Sequence, residues 1–330
     1  MSENTLRCFI DLRRNDIEFP FVTTMLDVEK QSMQNKVSRL LTEQSDRWIM
    51  YSLANLDEDM RMTLEDTELV DKDLLQYKDS AIFIKEDRSA LICVNMEDHI
   101  LIRVKARYGE EKIGIRDAKD IALMLSDGTA FAKDDRIGWL TAKPQYAGTG
   151  LQVTYLLHLP MLTMMQQIKA NAAKINTAHR FLLRSFIDLD DKNAAALYYF
   201  KNLFTAYSDS DKLLLAIHEI SKEITTKEDN LRQKILRFTS RSIYSDQIYR
   251  AYGILKYARR LTQTEFLAFW SKIRLGANAG LLPIKTNLVD SLLGLTTKTM
   301  LIEKSDGVHD DHAIHFNRAD TVREALNGGI

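Results

Sequence analysis

The sequence has little of what marks a secreted, membrane-bound or nucleic-acid-binding protein. Two cysteines, Cys8 and Cys93, cannot form a disulfide framework, which favours a reducing compartment. The formal net charge of -1 argues against an evenly basic surface of the kind that binds nucleic acids. No apolar run approaches the ~20 residues of a membrane helix, and the first residues lack the pattern of a signal peptide. The composition predicts a soluble, cytoplasmic protein without nucleic-acid or membrane partners.

Proline and glycine are also scarce, at 4 and 13 of 330 residues, which argues against long flexible linkers. No internal repeat is visible. Hydrophobic residues make up 45% of the chain, enough to bury a substantial core. The length suits one large domain or two modest ones.

Hydrophobic periodicity predicts a mixed front part and a helical back part. Residues 81–84 and 90–94 are strand-like and flank a polar turn at 85–89. Helical spacing is found in four segments: 26–44, the later part of 151–176, 210–238, and most of 245–295. The segment 151–176 begins with a strand-like stretch before its helical part. We therefore expect a domain boundary near residue 240.

Two short motifs carry most of the functional information. The run Asn95–His99 (N-M-E-D-H) follows an apolar, strand-like stretch, and Gly148–Gln152 (G-T-G-L-Q) precedes another that ends in H-L-P. On the residues alone, Glu97 and Asp98 fit the solvated end of a strand, and each motif is weak by itself. In this order and spacing they resemble the blocks N-E-E-D-H-L-R and G-T-G-L-R-A-S of the guanidino phosphotransferases.

Further segments in the same order resemble that family. Ile10–Asn15 is similar to its S-S-R-I-R-L-A-R-N block, and Gly138–Pro144 is similar to G-Y-L-T-S-C-P. Tyr252–Leu255 and Arg274–Gly280 resemble blocks of its bacterial protein-arginine kinase branch, McsB. The resemblance implies an α+β fold. A phosphagen-kinase-like antiparallel sheet with flanking helices would occupy residues 1–240. A helical C-terminal domain used in self-association would occupy residues 241–330.

The resemblance also implies the chemistry. This family moves the γ-phosphate of Mg-ATP to a guanidinium group, which needs carboxylates to orient the guanidinium and take a proton. Glu97 matches the glutamate that engages the guanidinium, and Asp98 and His99 also match. We take these three as the candidate catalytic residues. The first glutamate of the block is replaced by Met96.

Most arginines that the family uses to neutralise the triphosphate are replaced here. The residues at these nucleotide-binding positions are Phe9, Asp11, Leu101, Gln152 and Arg184, so only the last is kept. The replacements remove about five units of positive charge beside a polyanion. The sequence therefore predicts that Mg-ATP, the cofactor that the family implies, does not bind.

Other residues near these positions bear on the same question. Arg103, two residues beyond Leu101, would face the same side of a strand and is the best candidate for partial compensation. Lys143 stands where the family has a cysteine beside the guanidinium, and we expect it to repel a cationic substrate. After Arg184 the family has a glycine loop, whereas this chain has an acidic run that includes Asp188.

Two features near the C-terminus have weaker signals. Asp320 and Arg323 fit part of the McsB motif R-D-x-x-R-A, which forms a phosphoarginine pocket in that branch, although an ordinary charged helix end is equally compatible. The residues from His309 to His315 include three histidines and two aspartates, but their spacing matches no zinc pattern. We expect an exposed loop there and no metal site.

Three functions fit these observations. The first is a degenerate McsB-like protein with a decayed ATP site that acts by binding or scaffolding. It would be a homodimer formed through residues 241–330, with an McsA-like activator as a further partner. The second is an active protein-arginine kinase with protein arginine as substrate and a rearranged site built on Arg184, Arg103 and Lys143. The third is a non-catalytic reader of arginine or phosphoarginine.

Overall fold

A computed structural model of the chain describes residues 3–71, 73–177, 180–186, 195–205, 209–238, 243–304 and 310–328. Its frame is an eight-stranded sheet in the order β2-β3-β4-β5-β1-β8-β10-β9, and neighbouring strands pair antiparallel. A short pair, β6 with β7, lies apart from it. The strands are β1 Thr5–Arg14, β2 Trp48–Ser52, β3 Ala81–Lys85, β4 Ala90–Val94, β5 Ile100–Ala106, β6 Lys133–Asp134, β7 Gly138–Trp139, β8 Leu151–His158, β9 Phe181–Ser185 and β10 Leu197–Asn202.

Helices flank this sheet and then make up most of the C-terminal part. Those at residues 27–42, 210–238 and 243–295 agree with segments that periodicity predicted, whereas those at 58–66, 111–126 and 298–303 were not predicted. The hairpin predicted around residues 85–89 is the β3–β4 pair. The segment 151–176 contains β8 and then two helices rather than one, because the chain turns at Gln166 with a φ of 56°. The helices are α1 Asp27–Thr42, α2 Glu58–Asp66, α3 Glu111–Ser126, α4 Pro160–Met164, α5 Ile168–Thr177, α6 Ser210–Phe238, α7 Ile243–Tyr257, α8 Gln263–Asn278, α9 Thr286–Leu295, α10 Lys298–Glu303 and α11 Asp311–Gly328.

Both faces of the sheet are covered, which explains why β8 is buried along its whole length. Successive side chains of a strand point to opposite faces. One face, with Ile10, Leu12 and Val153, packs on α1, α3 and α6 in the main core. The other face carries the five predicted nucleotide positions and is covered partly by residues 53–75 and partly by the C-terminal helices.

A buried polar network joins the C-terminal helices to the sheet. His158 at the end of β8 lies 2.8 Å from the Ser271 hydroxyl and 3.1 Å from a guanidinium nitrogen of Arg274. Arg274 also donates to Asp290 at 2.6 Å. Because all three of these partners come from α8 and α9, the helices are held against the sheet by polar as well as apolar contacts.

The α+β fold predicted from the sequence is confirmed. The predicted boundary near residue 240 falls on residues 239–242, outside the described residues, so it stays a prediction. None of the helices in the described ranges has both the length and the apolar composition that crossing a membrane requires.

Candidate active site

Four of the five predicted nucleotide positions come together on three neighbouring strands. Asp11 of β1 lies opposite Arg103 of β5 on one side and Gln152 of β8 on the other. Phe9 and Leu101 face the same way, because they lie two residues from Asp11 and Arg103. We call this surface the site face. It is the side of the sheet opposite the main core, and it extends through β10 to Arg184 on β9.

The centre of the site face is a buried ion pair. Arg103 Nε and Nη2 donate to the two carboxylate oxygens of Asp11 at 2.7 and 2.9 Å. Its Nη1 donates to the Leu69 carbonyl and to Asp71, each at 3.0 Å. Burial opposes the charge of Arg103, but the two carboxylates outweigh it and hold the pKa of Arg103 well above its usual value. All three guanidinium nitrogens of Arg103 therefore already contact acceptors of the chain; whether Arg103 compensates for the lost arginines stays a prediction.

The apolar replacements on the site face have been absorbed into a hydrophobic cluster. Phe9, Met96 and Leu101 are 4%, 5% and 7% exposed and belong to one cluster with residues from 53–75. Two of these positions are predicted nucleotide positions, and the third is that of the missing glutamate. Their side chains fill the surface with packed hydrocarbon, which offers no hydrogen-bond donor to a phosphate.

Gln152 connects strands instead of presenting a charge. Its Nε2 donates to the Asn202 carbonyl at 2.6 Å, and its Oε1 accepts from Arg13 Nη2 at 3.3 Å. The Arg13 guanidinium lies 4.2 Å from the ring centroid of Tyr146. The Nη1 of Arg13 is buried without a hydrogen-bond partner in the described part of the chain. Arg14, the next residue of β1, likewise has a buried Nε without a hydrogen-bond partner among the described residues, as does Arg184.

Arg184, the single arginine kept at these positions, lies near the edge of the site face. It forms an ion pair with Asp73, and its guanidinium lies 5.7 Å from the ring centroid of Tyr199. Its side chain is 40% exposed. The acidic run after it, including Asp188, lies outside the described residues.

Glu97, the predicted guanidinium-binding residue, already contacts a cation. The Lys143 amino group hydrogen-bonds a carboxylate oxygen of Glu97, and this contact raises the pKa of Lys143. The phenol of Tyr77 lies beside Glu97, and burial, followed by the charge of Glu97, raises the pKa of Tyr77 to about 12. Lys143 therefore occupies the contact with Glu97 that the sequence predicted for a guanidinium.

The hydrogen bonds of Asp98 and His99 hold neighbouring segments of the chain together. Asp98 accepts from the Asn15 amide at 2.6 Å and from the Ala142 backbone at 2.8 Å. His99 Nδ1 accepts from the Asp16 N–H at 2.9 Å, so its Nε2 carries the proton that is donated to the Pro20 carbonyl at 2.7 Å. Burial lowers the pKa of His99, which keeps the ring neutral. A catalytic role for these two residues stays a prediction.

The predicted phosphoarginine residues contact one another. Arg323 forms an ion pair with Asp320, one turn earlier on α11, and donates to the Ala258 carbonyl at 2.6 Å. The arginine is therefore already neutralised within its own helix. Whether the pair recognises phosphoarginine stays a prediction.

The histidine-rich segment differs from its prediction. His312 and His315 lie on α11 rather than in an exposed loop, because Asp310 accepts from the backbone at the start of that helix. His309 is outside the described residues. Among those that are described, no three His, Cys, Asp or Glu side chains are grouped as a metal site would require.

The residues that the sequence prediction missed come from a single segment. Glu68, Asp71, Asp73 and Tyr77 reach Arg7, Arg103, Arg184 and Glu97 respectively. Their one visible signal was an excess of acidic residues between 65 and 73. That signal has no local consequence, and only the tertiary fold brings these side chains to the site face.

Family comparisons cover both parts of the chain. Residues 28–231 match the family model "ATP:guanido phosphotransferase, C-terminal catalytic domain". Residues 241–328 match "Protein-arginine kinase McsB C-terminal domain". The protein-arginine kinase of Brevibacillus brevis is 29% identical over 309 residues, which are 90% of this chain and 84% of the relative. That of Clostridium tetani is 24% identical over 331 residues, or 100% and 97% of the two chains.

Solved structures with the same fold include phosphagen kinases. The crystal structure of lombricine kinase has a TM-score of 0.58 at 17% identity, covering 70% of this chain and 68% of the other. A duplicated taurocyamine kinase from Schistosoma mansoni, with bound transition-state-analogue components, has a TM-score of 0.58 at 18% identity. The match covers 94% of this chain and 40% of the taurocyamine kinase chain. At these identities the likeness is one of fold, and it agrees with the predicted phosphagen-kinase-like sheet.

Proposed function

The chain belongs to the ATP:guanido phosphotransferase family, and from this we propose that it is an McsB-like protein-arginine kinase homologue whose phosphate site has been replaced. In this proposal it acts by binding or scaffolding and does not transfer phosphoryl groups. The observation that carries the proposal is the buried pair of Asp11 and Arg103, with nitrogen–oxygen distances of 2.7 and 2.9 Å. An acid occupies a phosphate position, and the nearest arginine is consumed in neutralising it.

The charges on the site face do not fit a bound Mg-ATP. A triphosphate at the predicted positions would meet the Asp11 carboxylate and the hydrocarbon of Phe9 and Leu101, which form part of a buried cluster. A single arginine that stabilises the transferring group is worth about 10³–10⁵ in rate in well-studied phosphoryl-transfer enzymes. Such losses are not additive, but four of them are incompatible with ordinary kinase activity.

The guanidinium end supports the same proposal. Lys143 contacts Glu97, so an incoming arginine would have to displace an ammonium group from its own carboxylate. Displacing Lys143 weakens the net attraction between the substrate arginine and Glu97, on which the family depends. Both ends of the site are therefore supplied with charge partners from within the chain.

Both alternative functions, the active kinase and the arginine reader, require ion pairs within the site to break. An active kinase built on Arg184, Arg103 and Lys143 would have to release them from Asp73, from Asp11 with Asp71, and from Glu97. A reader of arginine or phosphoarginine would need only Glu97 to exchange Lys143 for a ligand. The Lys143 side chain is 52% exposed, which makes that exchange the less costly of the two.

For partners, we propose a homodimer through the C-terminal helices. Ile243, Ile254 and Tyr257 fall on one side of α7 and are 69%, 42% and 73% exposed. Exposed apolar side chains aligned on one helix favour association with a second copy. An McsA-like activator and protein arginine follow from the family resemblance alone. A cytoplasmic location agrees with the two free, buried cysteines.

Nucleotide binding is the direct test. We expect calorimetric titration of the purified protein with Mg-ATP to give no heat of binding at millimolar nucleotide, and thermal unfolding to be unshifted. The protein-arginine kinase of Brevibacillus brevis is the positive control. Phosphoarginine would be sought by acid-sparing mass spectrometry, with and without the activator. A sub-millimolar dissociation constant that Arg184→Ala abolishes, or phosphoarginine formation, would favour the active kinase.

A further inference from the structure

An acidic segment runs across the site face and pairs with its cations. We call it the acidic strap, residues 68–71 and 73–77. Glu68 lies 2.5 Å from Arg7 and 3.8 Å from Lys105. The strap continues with Asp71, which is 3.0 Å from Arg103, and with Asp73, which forms an ion pair with Arg184. Three carboxylates therefore reach four cations on β1, β5 and β9.

The strap is anchored by apolar side chains that alternate with the acids. Leu69 and Val70 are 0% and 5% exposed, and Leu74 and Leu75 are buried in the same cluster as Phe9. These anchors hold the carboxylates in place at little cost in chain entropy, because the backbone is already fixed by packing. The packed apolar neighbours therefore fix the backbone positions of the three acids.

Backbone and electrostatic details agree with a positioned anion. Glu68 has a φ of 64°, in the left-handed region that a non-glycine residue adopts at a cost. Burial works against the charge of Asp71, but Arg103 outweighs it and lowers the pKa of this carboxyl group. The strap therefore keeps its negative charge where it meets the sheet.

The cations form a set with the spacing of strands in a sheet. Arg7 of β1 lies opposite Leu156 of β8, which lies opposite Tyr199 of β10, which lies opposite Arg184 of β9. Arg103 and Lys105 lie on β5 on the same face, opposite Asp11 and Phe9. Four neighbouring positive charges on one face of a sheet repel each other unless an anion lies between them.

We propose that the acidic strap is an intramolecular anionic ligand of the site face. The carboxylates of Glu68, Asp71 and Asp73 take the side of the sheet that a polyphosphate would need, and they hold its cations neutral without a nucleotide. The inference deepens the proposed function and rests on it, because it explains what replaced the nucleotide. It implies that a latent polyanion site is present and is masked by the chain itself.

The test is to neutralise the strap without changing its shape. The variant Glu68→Gln, Asp71→Asn, Asp73→Asn keeps the side-chain volumes. It frees Arg7, Lys105 and Arg184 from their carboxylate partners and leaves Arg103 paired with Asp11 alone. The probe is inorganic tripolyphosphate without Mg²⁺ at low ionic strength, where screening is weak. We expect its association constant, measured by calorimetry, to rise about 10-fold or more over that of the unaltered protein, because the ligand gains charge-assisted hydrogen bonds. Added NaCl should reverse the gain.

A matched variant controls for the change in overall charge. Asp46→Asn, Glu86→Gln, Asp87→Asn removes three acids that pair with Lys85 and Arg47 beside the β3–β4 turn. The side chains of these acids are 56–58% exposed, so solvent already screens the pairs. We expect this variant to bind tripolyphosphate no better than the unaltered protein.

The affinity of the strap variant can be interpreted only if the variant is folded. Circular dichroism and thermal unfolding would first establish that the strap variant is folded. If it is not, Asp73→Asn alone serves, because that side chain is 54% exposed and its loss frees Arg184. A folded strap variant without increased affinity, an Asp73→Asn variant without any increase, or an equal increase in the control would each overturn the proposal. Binding of Mg-ATP by the unaltered protein would instead contradict the proposed loss of the nucleotide site.

Discussion

Replacing Arg103 by methionine tests whether the centre of the site face is a structural ion pair or a free catalytic group. Arg103 and Asp11 are 7% and 1% exposed, and three guanidinium nitrogens of Arg103 donate to protein acceptors. Arg103→Met has a similar length and removes the charge. It leaves the Asp11 carboxylate buried without its partner. If the pair is structural, the variant should be strongly destabilised.

The expected magnitude follows from the burial of the pair. Removing one partner of a buried ion pair typically costs about 3–5 kcal/mol of unfolding free energy, because the remaining charge is left in a low dielectric. Replacing both partners by apolar residues of similar volume is often neutral. We therefore expect Asp11→Leu combined with Arg103→Met to recover most of the loss. The control Arg47→Met breaks an ion pair whose side chains are 76% and 58% exposed, and should cost about 0–1 kcal/mol.

Urea unfolding followed by circular dichroism measures these differences, and the double variant closes a double-mutant cycle that isolates the coupling energy. The pH dependence gives a second check. Because Arg103 lowers the pKa of Asp71 against the effect of burial, this stabilisation is complete above the usual carboxyl range and is lost as pH falls through the lowered value. A loss for Arg103→Met no larger than that for Arg47→Met would refute the structural interpretation and make Arg103 available to a phosphate.

Two other features give predictions of the same kind. Glu228 on α6 accepts from two backbone N–H groups of α4 at 2.8 and 2.9 Å, and burial raises its pKa to about 7. A carboxyl pKa that is higher in the folded than in the unfolded state stabilises fully below about 4.3 and loses its effect as pH rises through about 7. Thermal unfolding from pH 5 to 8 should therefore show a decline that is weaker in Glu228→Gln, and an equal decline in both proteins would contradict the assignment. For the proposed dimer, light scattering at tens of micromolar should give twice the monomer mass, a concentration suited to roughly micromolar affinity. Ile254→Asp with Tyr257→Asp should give a monomer and Met50→Asp on β2 should not, whereas a monomeric unaltered protein would rule the dimer out.

Several helices and strands were predictable because their signals are local. The apolar spacing in α6 is repeated over 29 residues, and the helix has the predicted bounds of 210–238. The β3–β4 hairpin has apolar strands on both sides of a polar turn, and the strands pair as expected. In each case the hydrophobic period and the break are contained within one segment, so no distant residue is needed to decide the structure.

The family and the composition of the site were also readable from the sequence alone. Motif order and spacing survive at 24–29% identity to the bacterial protein-arginine kinases, and the family models match both parts of the chain. At positions 9, 11, 101 and 152, where the resemblance implies arginines, the sequence has no positive charge. These substitutions do not show what neutralises or fills the positions that remain.

Only the tertiary structure shows which residues of the chain contact these positions. Arg103 was predicted to compensate for lost arginines, because strand geometry places it on the correct face. In the structure its guanidinium pairs with Asp11, 92 residues away in sequence, and with Asp71, 32 residues away. Ion pairs of this kind depend on strand register and on a strap folded over the sheet, and neither leaves a local pattern. The sequence by itself therefore determined the family and the kind of fold, whereas only the tertiary structure placed the chain's own carboxylates and hydrocarbon at the predicted nucleotide positions.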